Sequence, residues 1–278
     1  MNTFIRFPEG KSKAFTLSYD DGVRQDKRFV KILNKYGLKS TFNLNSGCFE
    51  HSRTDDPEKQ KGRMCAEEAL ELYGEHEIAI HALTHPYLDK LPSSQMVYEI
   101  MEDRLNLEKL FGRIIRGMAY PYGTYNDEIV NALKTCGIAY ARTTKATLGF
   151  DIPSDWLRMP ATCHHSHAEL FNLADKFLDK HNGRQAWLFY VWGHTYEFDT
   201  NAPTNNWEYI EEFAKKISGH EDVWYATNME IYEYIKAFHD LEWSADGRTV
   251  YNPSDKDVWI GITFDKNVCV KSGETVKI

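Results

Sequence analysis

The chain has 278 residues, a formal net charge of −8 and 42% hydrophobic residues, enough to bury a full core as one large α/β domain or two small ones. The acidic balance argues against nucleic acid, an anionic membrane surface or a polyanionic substrate as the main partner. Five cysteines with no C-x-x-C pair argue against a disulfide framework and a thiolate zinc site.

Along the chain, short apolar runs alternate with longer amphipathic segments, the βα signature. Strands are predicted at Ala14–Tyr19, Ser40–Leu44, Ile78–Ile80, Ile114–Tyr120, Ala139–Arg142, Trp187–Trp192 and Val223–Ala226. Helices are predicted at Gln25–Tyr36, Cys65–Tyr73, Ser93–Phe111, Asn126–Cys136, His167–Lys180, Trp207–Ile217 and Met229–Phe238. Gly37, Gly74, Gly112 and Gly137 follow four of them as C-caps, and Asn126 is a candidate N-cap. Seven βα-like units favour a distorted (β/α)7-type barrel over an open doubly wound sheet. From Leu241 the texture changes to turn signals and the apolar runs Val258–Phe264 and Val268–Val270. The expected division is therefore a barrel over residues 1–240 and a β-rich extension over 241–278 packed on it. Residues 51–63 are polar and aperiodic and read as a loop near the mouth of the site. The N-terminus has no apolar signal-peptide core and no run of eighteen apolar residues occurs, so the expectation is a cytoplasmic chain; a trimmed secreted form would read the same.

The chemistry begins at Asp20-Asp21-Gly22, which ends the first strand with two like charges and needs a cation nearby. The third strand runs into His81-Ala82-Leu83-Thr84-His85. One Asp and two His make a three-ligand metal set with a fourth position open, and the other Asp is left to act as a base. In a barrel, functional side chains gather at the C-terminal ends of the strands, where Asp20, Asp21, His81, Tyr122 and His194 all fall. Alone, the Asp pair reads as an acidic turn and the His pair as a solvated loop; their joint placement after two strands favours the site.

Ser18-Tyr-Asp-Asp-Gly22, His81-x-x-x-His85, Tyr120-Pro-Tyr-Gly123 and Val191-Trp-Gly-His194 together resemble the NodB-homology motifs of polysaccharide deacetylases, carbohydrate esterase family 4. The motifs stand in the family's order, over roughly residues 10–240. The resemblance implies metal-dependent removal of acetyl groups from an N-acetylated, or O-acetylated, carbohydrate. It implies that Asp21, His81 and His85 hold a divalent ion, zinc first, with Co, Ni or Mn permitted by the same ligands. It makes Asp20 the general base, His194 the general acid, and the Tyr122 N–H a donor to the oxyanion.

Three positions depart from the family pattern. Ala119 stands where an Arg that orients the base is usual, so Arg158 or Arg24 is expected to replace it, Arg158 first. Ala82 stands where Ser or Thr is common, and Val191-Trp192-Gly193 is an unusual lead-in to the acid His. Asp155 and Trp156 loosely match the groove-building motif. Trp156, Trp192 and Pro121 are the expected pocket walls. The run Cys163-His164-His165-Ser166-His167 reads as a helix start more readily than as a second metal site. Two rival functions stand beside the deacetylase: hydrolysis of small cyclic amides or ureides, and a silent carbohydrate-binding protein, which the seven Trp and sixteen Tyr would suit.

Overall fold

The computed structural model describes residues 3–54, 62–179, 185–262 and 266–278. The strands are β1 (Phe4–Arg6), β2 (Lys13–Asp20), β3 (Thr41–Leu44), β4 (Glu77–Ile80), β5 (Gly117–Ala119), β6 (Tyr140–Ala146), β7 (Met159–Ala161), β8 (Cys163–His164), β9 (Trp187–Gly193), β10 (Val223–Tyr225), β11 (Glu242–Trp243), β12 (Thr249–Tyr251), β13 (Val258–Gly261), β14 (Asn267–Val270) and β15 (Thr275–Lys277). The helices are α1 (Asp26–Lys35), α2 (Ala66–Leu72), α3 (Ser93–Phe111), α4 (Asp127–Thr135), α5 (Leu170–Leu178), α6 (Trp207–Ile217) and α7 (Asn228–His239).

Eight parallel strands follow one another in the order β7-β6-β5-β4-β3-β2-β9-β8. Because β7 and β8 are separated only by Thr162, residues 159–164 pair with β6 on one side and β9 on the other, and the barrel is nearly closed. This segment is where the predicted strand set falls short. The last predicted strand, β10, adds only a short pairing to the start of β2.

The barrel's alternation decides which side chains reach its centre. In β2 every residue is buried. Phe15, Leu17 and Tyr19 pack outward with Phe29 of α1 and Phe213 of α6. On the opposite face, Thr16 bonds Asn228 at 2.9 Å and Ser18 accepts from Asn43 at 2.8 Å. Asp20 shares that parity and therefore faces inward. Across the barrel, β6 places Tyr140 and Arg142 on one face and Ala141 in the outer core. The lower end is closed by α7, whose buried Asn228 also donates to the Tyr190 hydroxyl at 2.7 Å. The site residues expected from the sequence, Asp20, Asp21, His81 and His194, lie toward the other end, at or just after the ends of β2, β4 and β9.

Asn126 caps α4 by accepting from the Ile129 N–H. Gly37, Gly112 and Gly137 take the left-handed conformation expected after a helix, whereas Gly74 does not. The extension forms the sheets β1-β13-β14 and β11-β12-β15. It recruits β1 from the N-terminus, so it is not made from residues after 240 alone. Among the described residues, no helix is long and apolar enough to cross a membrane.

Candidate metal centre and its acid–base pair

Asp20 is the last residue of β2 and is 2% exposed. Its Oδ1 accepts from Asn43 at 2.8 Å, and its Oδ2 accepts from Arg142 Nη2 at 2.5 Å. Burial pushes this carboxyl upward, but Arg142, His81 and His194 together outweigh it and hold the pKa below the ordinary value. Asp20 is therefore ionised at neutral pH. Its Oδ2 lies 3.8 Å from Nε2 of His81 and 3.8 Å from Nε2 of His194.

Arg142 corrects the expectation about the missing arginine. Arg158 sits at the rim, paired with Asp127 at 2.6 Å and Asp155 at 2.7 Å, and Arg24 is paired with Glu50 and Glu68. The cation on Asp20 comes instead from β6, where Arg142 is the direct register partner of Ala119. It enters one strand over from the family's position. Its guanidinium lies 4.3 Å above the Trp192 ring, a cation–π contact that helps hold a buried cation in place.

Asp21 follows with φ 83°, a left-handed conformation that turns it out of the strand. One ligand atom each from Asp21, His81 and His85 lies within 4.8 Å of the others. Nδ1 of His81 is 2.8 Å from the Ala119 carbonyl. A carbonyl only accepts, so Nδ1 carries the hydrogen and Nε2 presents its lone pair, the usual arrangement behind a metal-binding imidazole. Burial lowers the His81 pKa to about 4 against the opposing pull of Asp20 and Asp21, and burial lowers that of His85 as well, so neutral imidazoles are on offer. This donor set fits a divalent ion of the zinc type.

The site is also where the backbone is strained. Of seven non-glycine residues with positive φ among those described, Asp21, Ala82 (60°), His85 (57°) and Tyr122 (57°) are here. Such conformations cost ~1–3 kcal/mol each and persist only when their surroundings over-determine them. The turn at Tyr122 leaves its N–H without a backbone acceptor among the described residues, while its ring stacks on Tyr87 at 3.8 Å and meets His85 edge-on at 4.5 Å. Tyr87 and Tyr122, 48% and 51% exposed, form an aromatic lip beside the ligands. Pro121 is buried under that turn.

His194 begins the turn after β9, and its Nδ1 lies 2.9 Å from Oε1 of Glu197. Nδ1 therefore holds a proton, and Nε2, 3.8 Å from Oδ2 of Asp20, carries one as well when the ring is charged. Burial lowers the His194 pKa, but the Glu197 hydrogen bond and the fields of Asp20, Glu197 and Asp21 exceed it, and the net shift is upward. Glu197 is a residue that sequence reasoning missed. Its Oε2 stands 3.3 Å from Nε2 of His164, 3.1 Å from Nε2 of His165 and 3.3 Å from Nδ2 of Asn205. Burial pushes its pKa up, but the hydrogen bonds of His165 and His194 and the field of His164 outweigh it and hold the pKa well below the ordinary value. His164 Nδ1 accepts the Ser166 N–H at 3.2 Å, so its Nε2 carries hydrogen and faces the Glu197 carboxylate 3.3 Å away. His164, His165 and Glu197 thus bring one ligand atom each within 4.8 Å of the others, the spacing of a second possible metal set, here gathered around the Glu197 carboxylate.

The Cys163–His165 run, expected to open a helix, is strand β8 and its exit, and α5 begins only at Leu170. Gly193 is needed for a reason other than the turn expected there. A Cβ on it would stand 1.9 Å from Nδ1 of His165, whose ring lies flat on the strand. Trp192 borders His194, with ring centroids 5.7 Å apart, whereas Trp156 packs edge-on against Tyr232 of α7. Of loop 51–63, Arg63 reaches Asp21 at 2.9 Å; residues 55–61 lie outside the described residues.

Comparison with known proteins bears on the fold that carries these residues. Residues 8–141 match the family model described as polysaccharide deacetylase. A Bacillus subtilis (strain 168) protein, YxkH, provisionally named a polysaccharide deacetylase, is 24% identical over 136 residues, covering 48% of this chain and 45% of that protein. The chain thus aligns with less than half of that relative's length. A Mycobacterium smegmatis crystal structure, also provisionally named a polysaccharide deacetylase, superposes with a TM-score of 0.55 at 16% identity, covering 84% of this chain and 94% of that one. A mutant of Bacillus anthracis BA3943, described as a family 4 carbohydrate esterase pseudoenzyme with restored enzymatic activity, gives 0.50 at 16% identity, covering 82% and 70%. At such identities the structural likeness speaks for the fold.

Proposed function

We propose that this chain, which belongs to the polysaccharide deacetylase family, is a metal-dependent hydrolase that removes acetyl groups from an N-acetylated or O-acetylated carbohydrate. The observation that carries the reading is convergence. An ionised buried carboxylate, an imidazole whose pKa is raised and three preset metal donors face one another within a few ångströms. Because a pseudoenzyme shares the fold, the residues must decide, and this chain retains base, acid and all three ligands.

Asp21, His81 and His85 would hold the ion, zinc being the first choice for this ligand set, and the bound ion would polarise the acetyl carbonyl and acidify water. Asp20 Oδ2 takes the proton of the attacking water, its low pKa kept by Arg142. In the imidazolium form His194 gives its Nε2 proton to the departing nitrogen or oxygen, and Glu197, bonded at Nδ1, stabilises that charged ring. The Tyr122 N–H is the candidate donor to the carbonyl oxygen as charge develops there. The exposed rings of Tyr87 and Tyr122 offer a flat face for a sugar ring.

The test is to strip the protein with chelator and measure acetate release from N-acetylglucosamine oligomers, with Zn, Co, Ni or Mn restored one at a time. Acetate that appears only with metal supports the reading. Bound metal without acetate points to cyclic amides or ureides, and a chain that takes up no metal refutes the ligand assignment.

A further inference from the structure

We propose that Asn45 and Arg63 form a brace that keeps the two ligand-bearing loops in metal-binding register; the inference rests on the Asp21-His81-His85 assignment above. Asn45 lies just beyond β3 and is buried. Its Nδ2 donates to the His81 carbonyl and, at 2.6 Å, to the Ala82 carbonyl. Its Oδ1 accepts from Arg63 Nη1 at 2.9 Å. Arg63 Nη1 also donates to the Asp21 carbonyl, and Nη2 donates to Asp21 Oδ1 at 2.9 Å. Two side chains thus tie together the backbone of both loops.

The atoms they hold are the ones that need holding. Asp21 and Ala82 are left-handed without being glycine, so both would relax toward ordinary conformations if nothing restrained their peptides. Asp21 is itself a ligand, and Ala82 directs the chain from His81 toward His85. Ala82 has no hydroxyl with which to support its own loop. Asn45 supplies that support from the neighbouring strand, with both amide hydrogens and its oxygen engaged, which fixes the amide's orientation. Arg63 contributes a fork that a point charge cannot copy, because three acceptors share it in fixed directions. Asn45 and Arg63 are accordingly positioning residues for the ligand set.

The experiment is a chelator-competition titration of Zn and Co on the full chain, with thermal stability recorded for each variant. Asn45→Ala should weaken metal binding by about 10- to 100-fold, the range found when groups supporting metal ligands are lost. Arg63→Lys, which keeps the charge and removes the fork, should weaken it in the same direction. Ala82→Gly placed in the Asn45→Ala background should recover much of the loss, because glycine adopts the left-handed conformation without cost. Folded Asn45→Ala that binds metal like the parent overturns the brace, and so does a loss that Ala82→Gly leaves untouched. If Asn45→Ala does not fold, Arg63→Lys, at a partly exposed side chain, carries the same test, and parent-like affinity in it overturns the proposal. A parent chain that binds neither ion overturns the ligand assignment itself, and the brace with it.

Discussion

Arg142→Met removes the cation on which Asp20 depends and leaves a carboxylate stranded in the barrel. The two groups meet at 2.5 Å, with both side chains almost wholly buried. Unit charges about 4 Å apart at an effective dielectric of about 20 attract by ~4 kcal/mol. Losing that attraction should raise the acid limb of kcat/KM by up to about 3 pH units, since each unit corresponds to about 1.4 kcal/mol. The assay is kcat/KM for acetate release across about pH 4 to about pH 9, where the limb reports the essential base of the free enzyme. Near neutrality the variant should be strongly impaired, and it should regain rate as the medium becomes alkaline. Stability provides an independent check. Breaking a buried pair from one side costs roughly 3–5 kcal/mol, so Asp20→Asn/Arg142→Met should be more stable than Arg142→Met alone. An unmoved acid limb in a folded Arg142→Met would refute the assignment of Asp20 as a base set by Arg142.

Asp20→Asn should keep metal and lose turnover by roughly 10²–10⁴-fold, the usual worth of a general base, whereas Asp21→Ala should lose metal and turnover together; metal content and acetate release separate the two. Glu197→Gln removes the charge that lifts the His194 pKa, so the alkaline limb of the pH profile should move to lower pH; a limb that stays in place would detach Glu197 from the acid. Asp26, buried and bonded to Tyr73 and Thr195, has its pKa raised to about 7 by burial, with the two hydroxyl bonds opposing. Its folded pKa exceeds the unfolded value, so its contribution to stability is complete below about pH 4 and lost as pH rises through about 7. Asp26→Asn should therefore gain on the parent between those limits, by on the order of 4 kcal/mol in total, and denaturation midpoints that differ equally at both ends would contradict this.

The parts of the site that are legible in the sequence are those that repeat along one strand or one turn. Apolar runs ending in Asp20-Asp21, His81 and Val191-Trp-Gly-His194 locate the barrel mouth because a parallel strand is buried on both faces and stops where it meets water. Residues 159–164 escape because Met159, Ala161 and Cys163 alternate with Pro160, Thr162 and His164 over too short a span to outweigh the helical pattern from His167 onward. Arg142 does leave a signal. A charge inside a buried strand, on the same face as Tyr140, must have an ionic partner across the barrel. Glu197 stands three residues from His194, one turn away. Arg63 and Asn45 have no such mark, because their partners are backbone carbonyls brought close only by the fold.

Two adjacent carboxylates at a strand end call for a cation, and from the sequence a metal ion on one of them is the natural candidate. The structure gives a fuller account: each carboxylate already has its own arginine, and the two arginines approach from opposite directions. Strand parity turns Asp20 inward to Arg142, while the left-handed turn at Asp21 swings the next carboxylate outward to Arg63. The conformational strain at Asp21 is thus what separates two neighbours into different environments. One becomes a deeply buried carboxylate whose proton affinity is lowered by a fixed cation. The other becomes a partly exposed donor whose cation sits on a loop at the rim. A metal ion arriving among Asp21, His81 and His85 therefore meets a carboxylate whose orientation Arg63 has already fixed.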